Sequence, residues 1–322
     1  MNMRIKNILI SVLALVAVSC GNKKAEQFQA LPFPDVLPPE MIESTQDRID
    51  YMAEHWWDKI TDDARSYPSD SILVSGVPKE DVEQKFANWI NILSMTDYPH
   101  AAKSVRRLYD RVVKCESKDT SSNVFETFTD LVERYLYDPN SPLRNEDFYG
   151  PYAEKLASCQ YVAELKRQAY AHDAKMSSLN RVGTKATDFR FEDKDGKVRW
   201  LRDIKADYIV LFFSNPGCVA CKEIINALRN TQQIDAMVSS GRIAVLNIYI
   251  DEDLEAWRSY MPIYPETWYN GFDPDFVIRT DVLYNVRAIP SLYLLDKDHT
   301  VIMKDAVTPR VLDYLSRNIA QW

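Results

Sequence analysis

The chain has 322 residues, 46% of them hydrophobic and 27% charged, and a formal net charge of −8. That balance is ordinary for a folded, water-facing body with room for two domains, and no repeat period or low-complexity tract stands out. Its acidic sign argues against nucleic acid as a partner.

Arg4 and Lys6 precede an apolar stretch from Ile8 to Val18 that is too short to span a membrane as a stable helix. It ends at Ala17-Val18-Ser19-Cys20-Gly21-Asn22, which resembles the lipobox of bacterial lipoprotein signal peptides, with Ala17 where Leu is commoner. The resemblance implies that residues 1–19 are removed as a signal peptide and that Cys20 carries the lipid, in the bacterial cell envelope. The other reading is an ordinary secretory signal with a chance cysteine. Gly21 is not the acidic residue associated with inner-membrane retention, which favours the outer membrane facing the periplasm. No later segment is apolar enough to cross, so the lipid on Cys20 is the expected membrane anchor. Residues 20–39 are polar and then proline-rich, a semi-extended tether.

From 40 to 177 the apolar spacing is helical and predicts an all-α domain of unknown function. Pro39 suits the first turn of a helix carrying Met41, Ile42, Ile49, Met52, Trp56 and Ile60. Further stripes follow at Val82, Phe86, Trp89, Ile90 and Leu93, at Val105, Leu108 and Val112, and at Val124, Phe128, Leu131 and Tyr135. Pro151 is expected to open a fifth helix, and Val162 to Met176 reads as helical again.

Past Asn180 the pattern changes to strands, so 181–322 reads as an α/β domain. Phe189 to Phe191 and Val198 to Leu201 flank Asp195-Gly196, a hairpin signal. Continuous apolar runs at 208–213 and 243–250 predict buried strands of a sheet covered on both faces. A helix with Leu254 and Trp257, an insertion, and a helix from Phe276 to Tyr284 follow. A hairpin pairs Ser291–Leu295 with Val301–Met303, and a terminal helix runs from about Pro309 to Ile319.

The chemistry concentrates at Cys218-Val219-Ala220-Cys221, directly after the strand Tyr208–Phe213 and the turn Ser214-Asn215-Pro216-Gly217. A first thiol at a helix N-terminus meets unpaired N–H groups and the macrodipole, which favour its thiolate. One turn later a second thiol can reach back and close a disulfide. A zinc half-site is the competing reading, but it needs two further ligands. The chain has no second C-x-x-C, and its histidines are His55, His100, His172 and His299. A purely structural disulfide is the other.

Residues 181–322 resemble the thioredoxin-like superfamily, specifically its TlpA/ResA type of membrane-tethered thiol–disulfide oxidoreductase. The resemblance rests on Gly183 to Phe189, the Cys218–Cys221 pair, Asp251-Glu252-Asp253 with Ala256-Trp257, and Ala288-Ile289-Pro290-Ser291. It implies a thioredoxin fold in which Cys218 and Cys221 are catalytic, with no cofactor beyond their redox-active disulfide. It also implies a cis Pro290 and substrate binding along Ile289 and Pro290. The implied partners are thiols and disulfides of exported proteins and a membrane electron donor. A peroxiredoxin-like peroxidase shares the fold, but Asn215 stands where its Thr or Ser would be. A protein- or glycan-binding lipoprotein with a scaffold thioredoxin domain is the alternative from another class. The segment ending His55-Trp56-Trp57-Asp58 resembles an uncharacterised helical domain found ahead of such modules, which implies no activity.

Three departures matter. Gly217 replaces a common Trp, Phe212 replaces the buried aspartate of thioredoxin, and Val219-Ala220 carries no proline, histidine or charge. Glu223 and Glu252 are the candidates for moving a proton off Cys221. Absence of a histidine between the cysteines leans towards reductase or exchange chemistry. Cys115 and Cys159 are either a structural disulfide or two buried apolar residues. His299 is expected to be solvated in its turn. Of Trp56 and Trp57, at least one should be core. The aromatics of Tyr264 to Tyr269 are expected in the insertion beside the site, as substrate grips or as cover for the sheet edge.

Overall fold

A computed structural model describes residues 29–64, 67 and 72–319; the expected leader, the lipidation residue Cys20 and the start of the tether lie outside these. The first helix, α1 (Thr45–His55), begins where Ser44 Oγ accepts the N–H of Asp47. The cap therefore lies five residues past Pro39. Met41 is left exposed, and Trp56 and Ile60 fall beyond the helix end.

A small hairpin follows, β1 (Leu73–Val74) with β2 (Val77–Pro78), turning at Ser75-Gly76 with both residues at positive φ. This half is thus mainly helical rather than strictly all-α. Next come α2 (Lys79–Leu93), α3 (Tyr98–Lys118) capped by Asp97, and α4 (Val124–Val132), which runs into a π-helical turn over Glu133–Tyr137. The fifth helix, α5 (Glu146–Leu156), contains Pro151 rather than opening with it. Asn145 Oδ1 caps Asp147 and Phe148, and two acidic residues follow in the first turn, a stronger start signal than the proline. Last is α6 (Glu164–Ser177).

The core of this half is aromatic. Trp57 sits 4.7 Å from Phe128 and 6.0 Å from both Phe86 and Trp89, ring centre to ring centre. The Trp89 indole N–H donates to the Ala53 carbonyl at 2.8 Å. His55-Trp56-Trp57-Asp58 is a structural knot: Asp58 takes two hydrogen bonds from the Arg107 Nη2 and one from His55, while half-buried Trp56 donates to the Lys85 carbonyl. Trp57→Ala should therefore destabilise the chain by about 3–5 kcal/mol, and Trp56→Ala by clearly less, read from urea unfolding of the full chain.

The second half is built on β3 (Arg190–Asp193), β4 (Val198–Trp200), β5 (Tyr208–Phe213), α7 (Val219–Asn230), α8 (Gln232–Ser239), β6 (Ile243–Tyr249) and α9 (Leu254–Tyr260). It continues with β7 (Tyr269–Phe272), α10 (Val277–Thr280), β8 (Ser291–Asp296), β9 (Val301–Met303) and α11 (Thr308–Ile319). The sheet order is β4-β3-β7-β6-β5-β8-β9, with β5, β6 and β7 parallel. Side chains alternate along the buried strands: Val210 and Phe212 face one core, Ile209, Leu211 and Phe213 the other. Among the described residues no helix is long and apolar enough to cross a membrane.

Two elements differ from expectation. The insertion holds β7, whose Asn270 and Gly271 interrupt any apolar run. Gly271 is needed because a Cβ there would come 2.6 Å from the Phe191 ring. The helix expected over Phe276 to Tyr284 is a single turn, since Phe276 and Val282 take positive φ at its two ends.

Candidate functional site

The parallel strand β5 ends in the core at Phe213, and the turn after it delivers Cys218 to the N-cap of α7. Cys218 and Cys221 are joined in a disulfide with their Cα atoms 5.2 Å apart. The Sγ of Cys218 accepts the N–H of Cys221 at 3.1 Å. Cys218 is half-buried, whereas Cys221 is 1% exposed. On reduction, helix-end N–H groups are thus aimed at the accessible sulfur, while the other sulfur is shut into apolar surroundings that disfavour its charge. Gly217, with φ of +73°, turns the chain just ahead of Cys218. A side chain there would have open space but a strained backbone, so the tryptophan common in the resembling family does not suit this turn.

The Ile289–Pro290 bond is cis. Ser291, the first residue of β8, pairs with Phe213, which sets Ile289 and Pro290 alongside the turn that carries Cys218. Ile289 and Cys218 both pack on the apolar cluster that holds Cys221. The geometry therefore brings together all four residues singled out for this site. Phe212 is fully buried in the same cluster and supplies no acid. Glu223 and Glu252 are both exposed, outside the cluster that encloses Cys221.

A polar network steadies the turn, in which Ser214, Asn215, Asp251 and Tyr264 are joined by Asn247, Asn270 and Arg279, none of which the sequence reading marked for this site. The Ser214 hydroxyl donates to Asn247 Oδ1 at 2.5 Å, Asn247 donates to Asn270 Oδ1 at 3.1 Å, and Asn270 donates to the Pro265 carbonyl at 2.9 Å. The Tyr264 hydroxyl lies 3.4 Å from that of Ser214, and burial pushes its phenol above the ordinary range. Asn215 donates to Asp251 at 2.6 Å, and Asp251 also pairs with Arg279. The available signal was Asn247, a lone amide inside the apolar run of β6.

The structure also places the other residues singled out in the sequence. Tyr264 and Trp268 are buried, not exposed grips. They and Tyr269 line a cleft of about 850 Å³ that includes Lys205, Ile243 and Ala244, at the start of the parallel strands. The cleft opens at the end of the sheet opposite the dithiol, but Tyr264 and Trp268 also pack in the apolar cluster that holds Cys221, and Tyr264 reaches Ser214 in the turn ahead of Cys218. His299 is half-buried, its Nε2 3.1 Å from the carbonyls of Leu201 and Ile204, so it ties the last hairpin to the β4–β5 connection. Cys115 and Cys159 are unbridged; the Cys115 thiol contacts the Thr61 carbonyl at 3.5 Å, and Cys159 is buried. Among the described residues no group of three or more His, Cys, Asp or Glu side chains could hold a metal ion.

A mixed sheet with α7 starting at a C-x-x-C after a central parallel strand, and a cis-proline beside it, defines a thioredoxin-like fold. The chain is similar over 88% of its length to a thioredoxin-like protein from Bacteroides caccae, with 35% identity, 98% of that chain covered and a TM-score of 0.71. It is also similar to the C-terminal domain of an uncharacterized protein from Bacteroides fragilis, with 42% identity over 42% of this chain and 98% of that one, TM-score 0.41. A third likeness is to the thioredoxin domain of a thiol-disulfide oxidoreductase from Bacteroides vulgatus, at 19% identity over 42% of this chain and 96% of that one, TM-score 0.37. No curated protein matches the chain. Residues 17–180 match the family described as a domain of unknown function (DUF5106). The chain belongs to the DUF5106 family, and its C-terminal half is thioredoxin-like.

Proposed function

We propose that the chain is a thiol–disulfide oxidoreductase of the TlpA/ResA type, tethered in the bacterial envelope by lipid on Cys20 and acting on exported proteins. The observation that carries this reading is half-buried Cys218, its sulfur hydrogen-bonded by the Cys221 N–H and linked to that of Cys221, a residue 1% exposed. In the reduced form, the Cys218 thiolate attacks a substrate disulfide, forms a mixed disulfide and expels one substrate thiolate, which takes up a proton. Cys221 then loses its proton and attacks the Cys218 sulfur. The second substrate thiolate leaves and the Cys218–Cys221 disulfide re-forms. Two electrons have passed to the substrate, and a membrane dithiol donor must return them. Ile289, at the edge beside the dithiol, would offer its backbone to an extended substrate segment.

The deciding experiment is the reduction potential of Cys218–Cys221 in the purified chain, equilibrated against glutathione and dithiothreitol. A value near thioredoxin's, about −270 mV, supports a reductant. A value near −120 mV makes the protein an oxidant, and a pair that never equilibrates overturns the redox reading altogether.

A further inference from the structure

The segment Asn285–Pro290 belongs to no helix or strand, yet it borders the dithiol turn. Its side-chain ties lead to the helical half. Glu146, in the first turn of α5, accepts from Asn285 Nδ2 at 2.6 Å and from Arg287 Nε at 2.7 Å. Arg287 also donates to the Tyr137 carbonyl and stacks its guanidinium over the Tyr137 ring, 4.3 Å from the ring centre. Tyr137 in turn lies flat against Tyr149 of α5, their rings 4.1 Å apart. On the far side of the segment, Asp305 accepts from the Ser291 hydroxyl at 2.9 Å and pairs with Arg144 at 3.0 Å and Arg287 at 3.4 Å. Glu146 is 1% exposed and Arg287 12%. A buried ionic network of this kind is weak evidence for stability, since well-packed apolar groups often do as well. Its distinctive property is direction: two donors from one loop converge on one carboxylate of the other half.

We propose that Glu146 is a positioning residue, and that α5 of the DUF5106 half sets the place of the Arg287–Pro290 segment against Cys218. The proposal rests on the oxidoreductase reading only for its consequence. Where an extended substrate must lie along Ile289 and Pro290, a displacement of about 1 Å in that edge can cost up to ~100-fold in rate. A small aromatic disulfide needs only the accessible Cys218 sulfur and is far less sensitive to the edge.

The test uses the full chain with Glu146→Gln and, as a second route that keeps the buried positive charge, Arg287→Lys. Exchange is measured on a disulfide-bonded peptide and on 5,5′-dithiobis(2-nitrobenzoate). Both variants should lose at least ~10-fold in kcat/KM for the peptide relative to the small disulfide, mainly through KM, with the Cys218–Cys221 potential unchanged. In isoleucine-methyl-labelled protein, the Ile289 resonance should shift or broaden while those of Ile209 and Ile248 in the sheet stay in place. Parallel loss on both substrates, or none, overturns the positioning role. An unmoved Ile289 methyl in a folded variant overturns it whether or not the chain exchanges disulfides. A wild-type chain inert towards both substrates, with Ile289 still displaced in the variants, removes the oxidoreductase reading and leaves the positioning intact. Should Glu146→Gln not fold, Arg287→Lys decides alone.

Discussion

Cys221→Ser is expected to accumulate covalent mixed disulfides with its substrates, whereas Cys218→Ser accumulates none and loses exchange by several orders of magnitude. The asymmetry follows from burial. Only Cys218 offers its sulfur to a partner, and that sulfur already accepts the N–H of Cys221 at 3.1 Å. Cys221, 1% exposed among Phe212, Ile224 and Ile225, reaches no external disulfide but sits within reach of Cys218. Without it, the first bond formed has no internal nucleophile to break it. Non-reducing electrophoresis of extracts, with mass spectrometry of the trapped species, reads the result. Equal trapping by the two variants would mean that both sulfurs are reachable, and retained turnover in both would end the dithiol mechanism.

Lys304→Met should lower the stability of the whole chain by roughly 3–5 kcal/mol. The Lys304 side chain is 3% exposed. Its ammonium donates to the Ser177 carbonyl at 2.9 Å and the Leu179 carbonyl at 2.7 Å, and meets Glu146 Oε2 at 2.7 Å as a charge contact. Methionine replaces the stem but leaves two carbonyls near the end of α6 unpaired and Glu146 short of a counter-charge. Neighbouring Asp147 amplifies the loss. Burial raises its carboxyl above the usual range, and Lys304 is the foremost group opposing that rise. A carboxyl whose pKa is higher folded than unfolded lowers stability as pH climbs through that window. The variant pushes the folded pKa higher still, so its deficit should be larger at pH 7 than at pH 4. Urea unfolding at the two pH values measures both parts, and adding Glu146→Gln should recover part of the loss through coupling. A deficit below about 1 kcal/mol at pH 7 would show that water relaxes the ion contact.

Much of the thioredoxin-like half was legible because its signals are local. Six apolar residues at 208–213, a four-residue turn and two cysteines one helical turn apart constrain strand, turn and helix together. Strand β7 was hidden because its four residues include Asn270 and Gly271, one pairing with Asn247 and the other making room for Phe191, and neither reason is visible without the fold. Pro151 misled because a proline within a helix is rarer than one at its start, yet the Asn145 cap with Glu146 and Asp147 was in plain view. The ties between Glu146, Asn285 and Arg287 were not readable at all. Their partners lie 139 and 141 residues apart, and nothing in either stretch marks it as facing the other.

The two cysteines of the helical half bear on how the chain matures. In the envelope location proposed above, with Cys20 carrying the lipid, the four remaining thiols have three ways to pair fully, and only one includes the Cys218–Cys221 bond. Cys159 is sealed in the core of the helical half, out of reach of an external disulfide, and burial raises the pKa of the Cys115 thiol, which slows its exchange once that half has folded. The helical half leads in sequence and is dominated by contacts between neighbouring helices, the kind that form fastest. It is thereby expected to withdraw two thiols from competition before the sheet assembles, acting on behalf of the dithiol as an internal protecting group.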